Sequence, residues 1–190
     1  MSDAMSFPDG CANVQPVACK GGCYCGQMEM IIRRATLADI PHLMRMGGAF
    51  HASLPYLKDA MPFDADTFGQ CVYGMIQGYG SDSAIFVAEK DGTPCGMAAA
   101  VVCSHWFNRN HRAAQEMFWW VDENARRSSA GVRLFDALED WVSRSGAQSM
   151  TVSSTSAENA PKVCEFFERR GFVQNDINFV KGVIPCQRQS

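Results

Sequence analysis

No run in this chain approaches the roughly 18 consecutive apolar residues that a membrane-spanning helix needs, which argues against a spanning protein. Positive charge is not in surplus either. Lys and Arg number 17 against 20 Asp and Glu, a formal net charge of −3, so the broad basic face of a principal nucleic-acid partner is missing. No basic n-region precedes an apolar core near the N-terminus, so secretion is not signalled and a cytoplasmic location is expected. Nor does any motif recur at the spacing of a solenoid or propeller. With 47% hydrophobic and 19% charged residues over 190 positions, the chain has enough apolar material for one compact, enclosed core.

Cysteine is plentiful, at nine residues. Without a secretory signal these thiols are expected to stay reduced, and Cys71, Cys95, Cys103 and Cys164 lie in apolar segments where cysteine acts as a small hydrophobe. They read as core. Cys11, Cys19, Cys23 and Cys25 fall in a Gly-containing stretch and admit two readings, a four-thiolate zinc site or a flexible leader. Paired zinc ligands stand two to four residues apart, whereas Cys23 and Cys25 are separated by one residue and Cys11 stands alone, which favours the leader. No metal is therefore assigned.

The pattern along the chain is legible. Residues 1–29 lack any period and read as an extension. Met30 to Ala35 forms a short strand, and Thr36 caps a helix whose stripe includes Ile40, Leu43, Met44 and Met46 to Phe50. His51 to Phe63, broken by Pro55 and Pro62, is a loop, and Asp64 caps a second helix to about Gln77. Apolar runs from Ala84 to Glu89 and Cys95 to Cys103 flank Asp91-Gly92 and make a hairpin. Gln115 to Val121 is the next strand, followed by a helix from Ser129 to Arg144, a buried strand from Ser149 to Ser154 and a helix from Asn159 to Arg170. Gly171 ends that helix in the left-handed position, and closing strands follow near Phe172 to Gln174 and Ile177 to Lys181.

The turn at Arg126-Arg127-Ser128-Ser129-Ala130-Gly131 opens the helix after the aromatic strand. The first amides of a helix lack intrahelical partners and sit at the positive end of its dipole, so they suit an anion. Two arginines beside them add forked donors for phosphate oxygens. Val121, then Arg126 five residues on, the turn to Gly131, and the helix Leu134-Phe135-Asp136-Ala137-Leu138-Glu139-Asp140-Trp141 resemble the acyl-coenzyme A site of the GNAT N-acetyltransferase family. A second stretch, Asn159-Ala160-Pro161-Lys162-Val163-Cys164-Glu165-Phe166-Phe167-Glu168-Arg169-Arg170-Gly171-Phe172, is similar to that family's last helix. Two motifs in order reinforce one another. The sequence departs from the pattern at Ser129, where the first glycine is usual, and at Glu123, where proline is common. Weakened rather than abolished binding is the expectation. The aromatic strand Phe118-Trp119-Trp120-Val121 also bears a loose resemblance to acetyltransferase-like products of tailed bacteriophages.

The resemblance implies an α/β (α+β) acyl-CoA N-acyltransferase fold, a mixed sheet of six to seven strands flanked by about four helices. It covers roughly residues 30–182, and the domain is taken as residues 30–185, with an extension at 1–29 and a tail at 186–190. It implies acetyl-CoA as donor and an amine of a small molecule or protein as acceptor. The donor would be bound through Trp119, Val121, Arg126, Arg127, Ser128, Ser129, Ala130, Gly131, Val132 and Asn159. Glu116 is the candidate base, opening the aromatic strand with Phe118 and Trp120 expected on its face. Phe167 stands where the family has a proton-donating tyrosine, and Tyr56, Tyr73 and Tyr79 are the available substitutes. The loop Ser104 to Arg112, with His105 and His111, joins two strands near the expected acceptor cleft and admits two readings, aromatics and cations that orient a substrate bearing acidic groups or a solvated hairpin tip with one aromatic anchor. A homodimer through the final strand and its Cys186 tail is an available arrangement. The competing reading is a catalytically weak binding or structural protein on the same fold.

Overall fold

The computed structural model describes residues 30–54, 61–78, 82–154 and 160–178. Cys11, Cys19, Cys23, Cys25, Tyr56, Tyr79, Asn159 and Cys186 lie outside them. Strand β1 (Met30–Arg34) leads through a 3-10 turn into helix α1 (Ile40–Ala52), and helix α2 (Ala65–Gln77) follows. Strands β2 (Ser83–Lys90), β3 (Thr93–His105) and β4 (Asn108–Val121) form a meander, then come helix α3 (Ala130–Arg144), strand β5 (Ser149–Thr151) and helix α4 (Ala160–Arg169). The five strands make one sheet in sequence order. Every pairing is antiparallel except that of β4 with β5.

Local chemistry explains the boundaries. The Asp39 carboxylate accepts bonds from the Thr36 amide and hydroxyl at 2.7 and 2.9 Å, and Pro41 follows at the start of α1, where its missing N–H costs nothing. Asp64 caps α2 by accepting from the Thr67 amide at 3.0 Å. Asp91 and Gly92 both have positive φ, 50° and 77°, matching the twist that a two-residue hairpin needs. Gly171, at φ 85°, closes the chain's turn out of α4.

Helices cover both faces of the sheet. On one face Leu43, Met46 and Val72 of α1 and α2 pack on Ile85, Val87, Met97, Ala99 and Phe118. On the other, Leu134, Leu138 and Val142 of α3 pack on Phe86, Ala88, Ala98, Ala100 and Ala114. The second face is rich in alanine, which lets α3 settle close to the backbone. A Cβ on Gly96 would stand 3.0 Å from Leu134 Cδ1. The α1–α2 contact is closer still, since a Cβ on Gly47 would meet the Phe68 ring at 2.4 Å.

Four sequence expectations are corrected here. The sheet has five strands rather than six to seven, because residues 172–178 run on without pairing; among the described residues β5 is therefore an edge, and the final strand proposed for dimer pairing is not formed over 177–178, its remainder lying outside the described residues. Strand β5 is three residues long and largely exposed, not a buried six-residue strand. Strand β4 begins at Asn108, so Ser104 to Arg112 is mostly strand around a tight turn at Trp106 and Phe107. Of the four cysteines read as core, Cys95 is buried but Cys71, Cys103 and Cys164 are exposed. An apolar neighbourhood in sequence does not fix which face of a helix or strand end a side chain occupies.

Candidate active site

Strands β4 and β5 pair at Ala113/Ser149, Ala114/Met150 and Gln115/Thr151, and no further. One residue on, the Glu116 carboxylate accepts from the Ser153 amide at 3.3 Å in place of a ladder bond. Beyond that point the strands part, and a cleft of about 1070 Å³ opens, lined by Phe50 of α1 and Leu54 just after it, by Glu116, Met117 and Trp119 to Glu123 on the β4 side, and by Ser153, Lys162 and Val163 opposite.

The wall of β4 offers backbone groups to this gap. Asp122 donates its amide across β3 to the Cys95 carbonyl at 2.9 Å. Peptide groups of alternate residues in an extended strand point to opposite sides, so those of Trp119 and Val121 face away from β3 and into the cleft. Their side chains serve structure. Trp119 donates from its indole to the Gly131 carbonyl at 3.1 Å and packs on Phe135, Phe166 and Phe167.

Glu116 sits where it can act on a group in the gap. Burial pushes its carboxyl up to about 7, and the Ser153 amide only partly opposes that shift. Its surroundings differ from the alternation expected from sequence. Ala99 pairs with Phe118 but Ala100 pairs with Glu116, so Met117 is an inserted residue, a β-bulge. The bulge breaks the parity: Phe118 and Trp120 belong to the α1–α2 face, whereas Glu116 is paired to Ala100 of the α3 face. Glu116, Phe118 and Trp120 thus do not share a face.

Next to the cleft, the turn into α3 carries the residues expected to hold an anion. Arg127 adopts φ 70°, a left-handed conformation unusual for a residue with a side chain. Ser128 Oγ accepts from the Ala130 amide at 3.2 Å, which leaves that amide partly engaged. The amides of Arg127, Ser129, Gly131 and Val132 meet no protein acceptor among the described residues. Ser129 has φ −75° and an exposed side chain that makes no capping bond, so its place needs no glycine on conformational grounds. Gly131 would accept a methyl, since a Cβ there stands 3.6 Å from Trp119 and Val121. Free amides, two arginines and strand groups facing the gap suit a donor with a diphosphate and an extended amide-bearing arm.

Other expectations fare differently. Phe167 is buried in a cluster with Trp119, Phe135, Phe166 and Phe172 and has no hydroxyl to offer. Tyr73 lies on α2 beside Ile40 and Met44, away from the cleft. None of Ser104 to Arg112 lines the cleft, so of the two readings of that loop the solvated hairpin tip holds; the long meander carries its tip out, and Trp106 and Phe107 stack on each other at 82% and 77% exposure. His111 is engaged with Ser149 Oγ at 2.8 Å. Sequence reasoning missed Ser153, Lys162 and the Arg45–Asp122–Trp120 network. In that network Arg45 grips the Asp122 carboxylate at 2.7 and 3.1 Å, and Trp120 donates to it at 3.0 Å. Asp122 directly after Val121 was the available signal, a carboxylate at a strand end beside an indole. Among the described residues no group of three or more His, Cys, Asp or Glu could hold a metal. No helix there is long and apolar enough to cross a membrane.

The family model of the acetyltransferase (GNAT) family matches residues 54–172. The chain belongs to that family. It is an N-acetyltransferase by family, and acetyl-CoA is the usual acyl donor of that family. Solved structures share the fold at low sequence identity. The aminoglycoside N-acetyltransferase AAC(6')-Iy in complex with CoA is 19% identical with a TM-score of 0.65, covering 86% of this chain and 100% of its own. Glucosamine-6-phosphate N-acetyltransferase from Arabidopsis thaliana is 22% identical, TM-score 0.58, over 80% of this chain and 97% of its own. A transcriptional regulator from Bacillus halodurans C-125 is 14% identical, TM-score 0.63, over 80% and 99%. Among curated proteins no match is found.

Proposed function

We propose that this acetyltransferase moves an acetyl group from acetyl-CoA to a primary amine of a small molecule or protein, with Glu116 as the base. The observation that carries this reading is the Glu116 carboxyl at the point where β4 and β5 part, with its proton affinity raised to about 7. An ammonium cannot attack a thioester, so the acceptor must lose a proton, and a base poised near neutral pH removes it best. Residues of the α3 turn from Arg126 to Val132 would hold the diphosphate, and Trp119 and Val121 would pair with the arm. Bound there, acetyl-CoA supplies the activated thioester carbonyl. Glu116 would take the amine's proton as the nitrogen bonds to the acetyl carbon and the carbon–sulfur bond breaks. Phe167 has no proton to give, so the departing sulfur must be protonated from water or another group. The domain proposed to carry this activity is residues 30–185, and Asn159 is kept as a donor contact on sequence grounds.

Two measurements test the reading. Acetyl-CoA at 100 times its dissociation constant should stabilise the fold by about 2.7 kcal/mol in a thermal-shift experiment. An amine panel should then accelerate release of free thiol, with kcat/KM rising with pH through about 7 as Glu116 loses its proton. Stabilisation without thiol release from any amine would instead support the reading as a binding or structural protein, which the buried phenyl at Phe167 favours.

A further inference from the structure

The carbonyl of Val121 faces the cleft, where an extended arm laid along β4 would pair with it as an added strand does. That carbonyl is already taken. Arg126 donates to it from Nε at 3.0 Å. The same guanidinium lies over the Trp120 indole, 4.6 Å from the ring centroid, with Nη1 3.6 Å from the Glu123 carboxylate. Arg126 is also the first residue of the turn whose amides are open to an anion. A guanidinium bonds phosphate oxygens as a charged fork and so prefers them to one neutral carbonyl.

We propose that Arg126 is a donor-specificity latch: its side chain closes the Val121 carbonyl to an extended arm until a diphosphate at the turn draws the guanidinium away. Trp120 and Glu123 hold the closed position. A donor carrying both diphosphate and arm opens its own site, whereas pantetheine, lacking the diphosphate, meets an occupied carbonyl. Arm and diphosphate then favour each other's binding, although they touch different groups. The proposal rests on the cleft being the donor site and not on Glu116 being the base.

The test is calorimetric titration of the full chain with three probes, CoA, pantetheine and inorganic pyrophosphate. In the unaltered protein, saturating pyrophosphate should tighten pantetheine about fivefold, and by reciprocity pantetheine should tighten pyrophosphate by the same factor. In Arg126→Ala, pantetheine alone should bind about fivefold tighter, the pyrophosphate effect should vanish, and CoA should weaken about tenfold. Pyrophosphate and pantetheine binding independently in the unaltered protein would overturn the latch, whatever happens to the variant's folding. Unchanged or weaker pantetheine binding in both Arg126→Ala and Arg126→Gln would overturn it too. Failure of CoA to bind overturns latch and transferase reading together, whereas intact linkage with no amine-dependent thiol release upholds the latch and sinks the transfer.

Discussion

From Ala113 to Gln115, strand β4 is bonded on both sides, to β3 and to β5; from Phe118 to Val121, past the bulge at Met117, it keeps its β3 partner and loses the other. The two halves are continuous in chain, yet one is core and the other is wall. In the paired half Ala114 is buried and its environment is set by packing. In the parted half, peptide groups without ladder partners, a raised carboxyl and an arginine on a carbonyl face a cleft. Backbone hydrogen-bonding groups withheld from the sheet are open to the cleft, where the proposed donor would use them, and the bulge at Met117 marks the change from one half to the other.

That contrast predicts kinetic effects from one half and stability effects from the other. The largest effect should be Glu116→Gln, lowering kcat about 100-fold or more and removing the rise in rate through pH 7. The same variant should melt higher than the parent at pH 8. A carboxyl raised in the fold contributes stability that is complete below its ordinary value near 4.3 and lost as pH rises through about 7, and the amide escapes that loss. A fall in melting temperature with an unchanged pH profile would show Glu116 to be structural. In the paired half, Ala114→Leu should cost about 1–3 kcal/mol by overpacking the α3 face, measured by denaturant unfolding, and leave KM for acetyl-CoA unchanged. A shift in KM of more than twofold would break the separation.

Further from the cleft, Asp39 lies between Arg33, at 2.7 and 2.8 Å, and the Thr36 amide, and the guanidinium beside it holds its carboxyl at about 2. A lowered carboxyl contributes stability above its ordinary value near 3.9 and loses it as pH falls through about 2. Asp39→Asn should therefore destabilise by about 2 kcal/mol at pH 7, with the two proteins converging in strong acid and no kinetic change. The smallest effect tests the turn itself. Arg127→Gly relieves a positive φ and should stabilise by about 0.5 kcal/mol while weakening CoA a few-fold through loss of a cation. Tighter CoA binding would show that the side chain obstructs the turn.

Local chemistry was readable before any coordinates. Asp64 as a cap, Asp91-Gly92 as a hairpin turn, Gly171 as a helix stop and the α3 periodicity depend on neighbours a few residues away, and each is where the sequence put it. The Arg126 to Gly131 turn was readable for the same reason. What escaped depends on partners distant in the chain. The bulge that moves Glu116 off the Phe118 face exists only in the pairing with β3. The parting of β4 from β5 after Gln115, the Ser153 amide on Glu116 and the Arg45 grip on Asp122 join residues 36, 37 and 77 positions apart. The two readings of the Trp106 loop could not be separated because strand length, which fixes how far a hairpin projects, is set by the partner strand as much as by composition.

The bond from the Trp119 indole to the Gly131 carbonyl ties the first turn of α3 to the floor of the cleft. It makes the distance from that turn to Glu116 a property of the protein rather than of the ligand. With the donor bound as proposed, the site would work as a gauge: a donor whose arm is one methylene shorter or longer would fill the turn fully and still present its carbonyl at the wrong depth, so arm length should be felt in turnover before it is felt in affinity.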